Sequence, residues 1–275
     1  MSSPLDKALI RLGPFQIPGM KPRHVRVFVP PVQSPAASGR RARSSEAPPS
    51  LAKPQAPPPL LFMFDGQNVF DDAPSFAGGW RLHEAVLKVS PRRHRRPVVV
   101  GIDHGHEARI HELSPWPTRH GPGLADAFIH WICDELAPGL ARELGLPLGP
   151  EHVYVGGSSM GGLCALYAHF RRPDVFGGAL CMSPSLWLDG GHIFDDLAAR
   201  PTPLRSKIYL DAGALEAGGR MLRAAERMAE QLQRRGYGPG ILRFRSDPKG
   251  RHSEADWRRR APEALRFLFP RPSGG

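Results

Sequence analysis

Cysteine is scarce: Cys133, Cys164 and Cys181 are the only three in 275 residues. They are widely spaced with no CxxC pairing, which argues against a disulfide framework or a thiolate metal site. Each lies among apolar residues and reads as a small buried side chain in a reducing compartment. No apolar run reaches the roughly 18 residues that a membrane-spanning helix needs. The stretch Met1 to Leu12 mixes Asp6, Lys7 and Arg11 with apolar residues and holds no apolar run suited to secretion, so the expected location is cytoplasmic. Acidic residues are outnumbered, 26 Asp and Glu against 37 Lys and Arg, for a formal net charge of +11. The basic residues are scattered, with short runs at Arg92-Arg93-His94-Arg95-Arg96 and Arg258-Arg259-Arg260. No basic stretch interleaved with aromatics marks a nucleic-acid module, so the surplus reads as a solvated arginine-rich surface, with anionic substrates as the other option.

Proline and glycine, 31 and 30 residues, are abundant. From Pro31 to Pro59 the chain is Pro, Ala, Ser and Arg with almost no large apolar side chains, too little to offset its ordering entropy. It reads as a disordered insertion. Before it, His24 to Val29 alternates polar and apolar like a half-buried strand, the only strand expected there. After it, apolar runs recur at Leu60–Phe64, Val98–Ile102, Val153–Val155, Ala179–Met182, Ile208–Leu210 and Ile241–Phe244, as in parallel strands covered on both faces. Helical spacing lies between them: Leu124, Phe128, Trp131, Ile132 and Leu136 with a kink or break expected at Pro138; Met221 to Leu232; and Trp257, Ala261, Leu265 and Leu268. The alternation predicts one α/β domain over 24–270, a mostly parallel sheet flanked by helices, with an N-terminal segment 1–23 and a tail 271–275.

The informative segment is His152 to Leu166, which contains Gly157-x-Ser159-x-Gly161 between a strand and a helical pattern. A strand-to-helix turn this sharp strains the central serine and needs small neighbours so that strand and helix can pass closely. Ser159 is the candidate nucleophile of an α/β-hydrolase; Ser158 fails because Met160 stands where the second glycine should be. A serine hydroxyl needs an adjacent base. In this fold the chain order is serine, acid, histidine, and the one histidine after His192 is His252, in a polar loop before the last helix. Glu216, beyond the strand ending at Leu210, is the candidate acid, with Asp211 and Asp189 as rivals. The oxyanion hole would use the Met160 amide and one from the loop Asp65 to Phe70, where Gln67 is the chosen donor. Gly66, Asn68, Arg109 and Trp187 are candidates for substrate contact. Asp103-His104-Gly105-His106 lacks further ligands at recognisable spacing, so no metal is expected.

Together, Asp65-Gly66-Gln67-Asn68-Val69-Phe70-Asp71, Gly101-Ile102-Asp103-His104-Gly105 with Arg109 and Glu112, Gly157-Ser158-Ser159-Met160-Gly161-Gly162, Gly213-x-x-Glu216 and His252-Ser253-Glu254-x-x-Trp257 resemble the Putative esterase family. That family includes enterochelin-type siderophore esterases, feruloyl and acetyl xylan esterases, S-formylglutathione hydrolase and the mycolyltransferases of antigen 85. The resemblance covers roughly residues 20 to 270. It implies a serine esterase with a Ser-acid-His triad, no cofactor, and a small-molecule, carbohydrate or siderophore ester as substrate. Its Gly-x-x-Glu/Asp pattern supports Glu216, and it puts Arg109 and Glu112, read as an ion pair, near the rim of the site. Acyl transfer by the same triad is the nearest alternative; a non-catalytic binding module of the same fold is the other. The long insertion departs from the family's shorter connection.

Overall fold

In the computed structural model, which describes residues 9–31, 56–73, 75, 78–119, 121–203 and 205–271, successive side chains of each central strand enter two different cores. Leu60, Phe62 and Phe64 of β3 (Leu60–Phe64) join one core, and Leu61 and Met63 join the other. The same division runs through β4 (Val98–Ile102), β5 (Val153–Ser158), β6 (Gly178–Met182) and β7 (Lys207–Gly213). A strand buried on both faces has no polar position to show, which is why these segments read as continuous apolar runs.

The sheet has eight strands in the order β1-β2-β4-β3-β5-β6-β7-β8, β8 being Leu242–Asp247. β3 to β8 are parallel; β1 (Leu9–Phe15) and β2 (Arg23–Phe28) are antiparallel at one edge. Two strands therefore precede the Pro-rich insertion, where the sequence pattern suggested one. β1 escaped notice because it is paired on one side and mostly half-buried or exposed, with a glycine and a proline breaking its alternation. Of the insertion itself, residues 32–55 lie outside the described residues, as does the tail from 272.

The helices in chain order are the single turn α1 (Gly66–Val69), α2 (Leu82–Lys88), the single turn α3 (Arg109–Glu112), α4 (Ala125–Trp131), α5 (Ala137–Leu144), α6 (Met160–Arg171), α7 (Ile193–Ala199), α8 (Arg220–Arg234) and α9 (Glu254–Leu268). α4 to α8 cover one face of the sheet, while α2 and α9 cover the other. The helix does not break at Pro138, and the irregularity lies in the turn just before it. α4 passes into α5 through a π-turn, Ile132–Leu136, and Pro138 falls in the first turn of α5, where its missing N–H costs little. α9 is capped by Ser253, whose Oγ accepts from the Asp256 amide and donates to the Asp256 carboxylate, a cap that fixes the loop carrying His252. The carboxyl ends of β3 to β8 all open on one edge, where open α/β sheets gather their functional groups.

Candidate active site

Ser159 stands between β5 and α6 with φ 55° and ψ −121°. That conformation costs a non-glycine residue on the order of 1–3 kcal/mol and persists only where its surroundings enforce it. Here the enforcement is backbone packing. A Cβ on Gly157 would lie 2.6 Å from the carbonyl carbon of Gly161, and one on Gly161 would lie 3.0 Å from Asp65 Oδ2. The Ser159 amide donates to the Met182 carbonyl and its own carbonyl accepts from the Ser185 amide, both at 3.0 Å. Its hydroxyl lies 3.3 Å from Ser185 Oγ. Ser158, by contrast, is buried as the last residue of β5.

Glu216 and His252 are brought together. Glu216 opens the short 3₁₀ turn after β7, and its Oε2 accepts from His252 Nδ1 at 2.9 Å. With Nδ1 donating, Nε2 is the free ring nitrogen, the one that would take a proton. Oε1 accepts from Ser183 Oγ at 2.7 Å and from the Gly213 amide at 2.8 Å. Burial would raise this carboxyl, but the hydrogen bonds from His252, Ser183 and Gly213 outweigh it and hold Glu216 below the usual carboxylate range. His252 makes its hydrogen bond to Glu216; the Ser159 hydroxyl makes its own to Ser185, not to His252. Such contacts commonly tighten only once substrate is bound.

The rival acids are elsewhere. Asp211 lies within β7, on the Tyr209 side of the sheet, fully buried under α9. Its Oδ2 is 3.1 Å from Arg260 Nε, and its Oδ1 accepts from the Ser183 amide at 3.2 Å. Burial pushes its carboxyl up to about 7, against the pull of Arg260. Asp189 is exposed on the turn Leu188–Gly191.

Behind the acid lies a network that sequence reasoning missed. Ser183, fully buried with φ 44°, accepts at Oγ from Trp257 Nε1 (3.0 Å) and Arg260 Nη2 (2.9 Å) while it donates to Glu216. Trp257 also sets its ring edge-on to His252, with centroids 5.0 Å apart. Arg260 belongs to a run read as solvated, yet it is 6% exposed. The available signal was its helical phase, one turn beyond Trp257 on the inward face. Ser183 gave no signal, because a positive φ at serine has no sequence signature.

On the other side of Ser159, Gln67 and Met160 occupy the first turns of α1 and α6, where amides lack an intrahelical acceptor. The Gln67 side chain is clamped to the loop after β4: its Oε1 accepts from the His104 amide at 2.9 Å and its Nε2 donates to the His104 carbonyl at 3.4 Å. Gly66 packs so closely on β4 that a Cβ would lie 2.5 Å from the Gly101 carbonyl carbon. The Asn68 carbonyl accepts from the Trp80 amide. Trp187 is 58% exposed.

Arg109 and Glu112 do not pair with each other. Arg109 forms a two-pronged bridge to Asp65 at 2.6 and 2.7 Å, and Glu112 accepts two bonds from Arg23 at 2.8 and 3.0 Å. Spacing on one helical turn suggested partners, but Asp65 and Arg23 are themselves buried and would otherwise hold unpaired charge. Among the described residues no cluster of His, Cys, Asp and Glu could hold a metal ion. His104 Nδ1 instead accepts from the His106 amide at 2.9 Å. All three cysteines are free and buried. No helix among the described residues is long and apolar enough to cross a membrane.

Comparison with known proteins agrees with this architecture. Residues 37–268 match the Putative esterase family. The chain is 32% identical over 146 residues to the iron(III) enterobactin esterase of Dickeya dadantii, covering 52% of this chain and 30% of that enzyme. It is 31% identical over 144 residues to the siderophore triacetylfusarinine C esterase of Aspergillus fumigatus, covering 48% and 46%. The chain thus spans less than half the length of these two relatives. The crystal structure of BES protein from Bacillus cereus shares the fold, with a TM-score of 0.72 at 19% identity over 98% of this chain and 97% of that one. With the family match extending over most of its length, the chain belongs to the Putative esterase family, and its fold is that of the α/β-hydrolases.

Proposed function

We propose that the chain hydrolyses carboxylic esters through an acyl-enzyme on Ser159. The observation that carries this reading is the backbone of Ser159, a strained serine at the strand–helix turn whose conformation the packing of Gly157 and Gly161 enforces. His252 Nε2 takes the hydroxyl proton as Oγ attacks the ester carbonyl. Glu216, kept ionised by its three donors, holds the ring through Nδ1 and stabilises the imidazolium that forms. The oxyanion lies between the amides of Met160 and Gln67. His252 then protonates the leaving alcohol, and water cleaves the acyl-enzyme by the reverse path. Arg109, locked to Asp65, serves as a wall of the site, with Asn68 and Trp187 toward its rim.

The names of the relatives suggest a siderophore ester as substrate, and three buried free thiols suit a reducing cytoplasm. The test is covalent labelling with a fluorophosphonate, followed by turnover of a siderophore lactone beside simple aryl esters. Labelling at Ser159, lost in Ser159→Ala and kept in Ser158→Ala, is the expected result; labelling that follows Ser158 overturns the assignment. Faster turnover of acetylated or feruloylated sugars than of the lactone would move the substrate class.

A further inference from the structure

A cavity of about 290 Å³ opens at the β1–β2 edge of the sheet and shares Gln67 with the loop of the proposed oxyanion donor. Its walls come from five places: β1, the approach to β2, β2 itself, Gln67 on α1, and the loop after β4. The register of β1 on β2 sets Arg11 directly opposite Arg26. Like charges at a directly opposed position destabilise a sheet pair unless something offsets them. The one carboxylate lining the cavity is Asp103, and its single charge is matched by Arg26, at 2.8 and 3.0 Å. Arg23, at the same cavity, is likewise satisfied by Glu112. Arg11 and Lys21 are exposed, and among the described residues neither forms an ion pair. The imidazoles of His104 and His24 add polar lining without negative charge. Burial lowers the pKa of His104, and its Nδ1 already accepts the His106 amide, so Nε2–H is left as a donor.

From this charge balance we infer that the cavity is a subsite for an anionic group, a carboxylate or phosphate, carried by the ester substrate on the side away from His252. The inference rests on the esterase reading of Ser159. Arg11 and Lys21 are its specificity-determining residues. They lie on a strand and a loop remote from the serine in sequence and contribute nothing to the proposed acid–base machinery.

The experiment compares 4-nitrophenyl hydrogen glutarate with the uncharged 4-nitrophenyl ester of the same acyl length, at physiological ionic strength so that long-range steering is screened. Wild type should favour the glutarate ester by about tenfold or more in kcat/KM, as a matched charge contact allows. The double variant Arg11→Glu, Lys21→Glu should abolish the preference and turn over the neutral ester within about twofold of wild type. An unchanged preference, or an equal fall on both esters, overturns the subsite. Should wild type cleave neither ester and take no fluorophosphonate label at Ser159, the esterase reading fails by itself. An NMR titration with glutarate and with inorganic phosphate then decides the subsite: shifts at Gln67, His104 and Gly105 that vanish in the double variant support it, and their absence in wild type overturns it.

Discussion

At the carboxyl ends of β7 and β8, three carboxyl groups face Arg260, which lies 3.1 Å from Asp211, 3.6 Å from Glu216 and 3.6 Å from Asp247, with Arg259 also paired to Asp247. At the carboxyl ends of β3 and β4 the surplus is positive: Arg23 and Arg26 are matched by Glu112 and Asp103, which leaves Arg11 and Lys21 at the cavity without an ion pair among the described residues. Ser159 lies between these ends. A positive charge must appear on His252 and a negative one on the substrate oxygen during the proposed reaction, and each would form beside the surplus that favours it. The two ends also differ in construction. The β7 end is buried and tied together through Ser183, so it is rigid and acts at short range. At the β4 end Arg23 is buried against Glu112, but Arg11 and Lys21 are exposed, so the influence of these two charges falls with salt.

Removing the group between the two ends should have the largest effect. Ser159→Ala is expected to lower kcat by about a million-fold without loss of fold, as for other triad serines, whereas Ser158→Ala keeps measurable turnover. Next comes the negative end itself. Glu216→Gln keeps the shape and deletes the charge, and kcat should fall on the order of 10⁴. Asp189→Asn, on an exposed turn, should leave kcat unchanged. A Glu216→Gln enzyme within about tenfold of wild type would reduce the triad to a Ser159–His252 pair and remove the electrostatic contrast.

A smaller effect sharpens the same comparison. Ser183→Ala deletes the hydroxyl joining Glu216, Trp257 and Arg260. It leaves buried polar atoms unsatisfied at about 1–3 kcal/mol, which a shift in denaturant midpoint will report. If Ser183 also positions the acid, kcat should drop about 10- to 100-fold with KM little changed, in line with a misoriented base. A stability change with unaltered kcat would leave the network a purely structural one.

Much of this architecture is legible in the sequence because burial on two faces allows little else. Leu60–Phe64 and Val98–Ile102 are apolar at every position for that reason. The Gly157-x-Ser159-x-Gly161 turn is legible because its glycines answer a steric demand. β1 is not, since an edge strand half in water needs no strict pattern. Neither are the partners of Arg109 and Glu112. They come from residues 44 and 89 positions away, and helical spacing, which is local information, pointed each at the other. The buried role of Arg260 was hidden in a run whose other members face outward: Arg258 reaches Asp72, and Arg259 bridges Asp247 and Asp256.

A third buried group tests what happens where neither end's charge reaches. His169, on α6, is fully buried; its Nε2 lies 2.9 Å from Ser206 Oγ, and among the described residues no carboxylate is paired with it. Burial lowers its pKa from 6.5 to about 4, because a protonated ring there would have no counter-charge. Between those values the unfolded chain binds a proton that the folded chain refuses, so stability rises with pH across the window and is lost as pH falls from 6.5 toward 4. Across the whole window the loss is on the order of 3 kcal/mol at full effect. Asp211 works in the opposite sense. Its carboxyl is raised to about 7, so the folded state favours the protonated form, and that contribution is present at low pH and lost as pH rises through 7. The two slopes oppose each other, so a wild-type pH profile alone would hide both. The informative quantity is the difference between His169→Gln and wild type, measured by urea unfolding at several pH values. At neutral pH the variant should be the less stable, having lost a fitted ring. Toward pH 4 the gap should close or reverse, because glutamine takes up no proton. A gap that stays constant from pH 7 to pH 4 would mean that His169 is protonated inside the fold, with a counter-charge nearby.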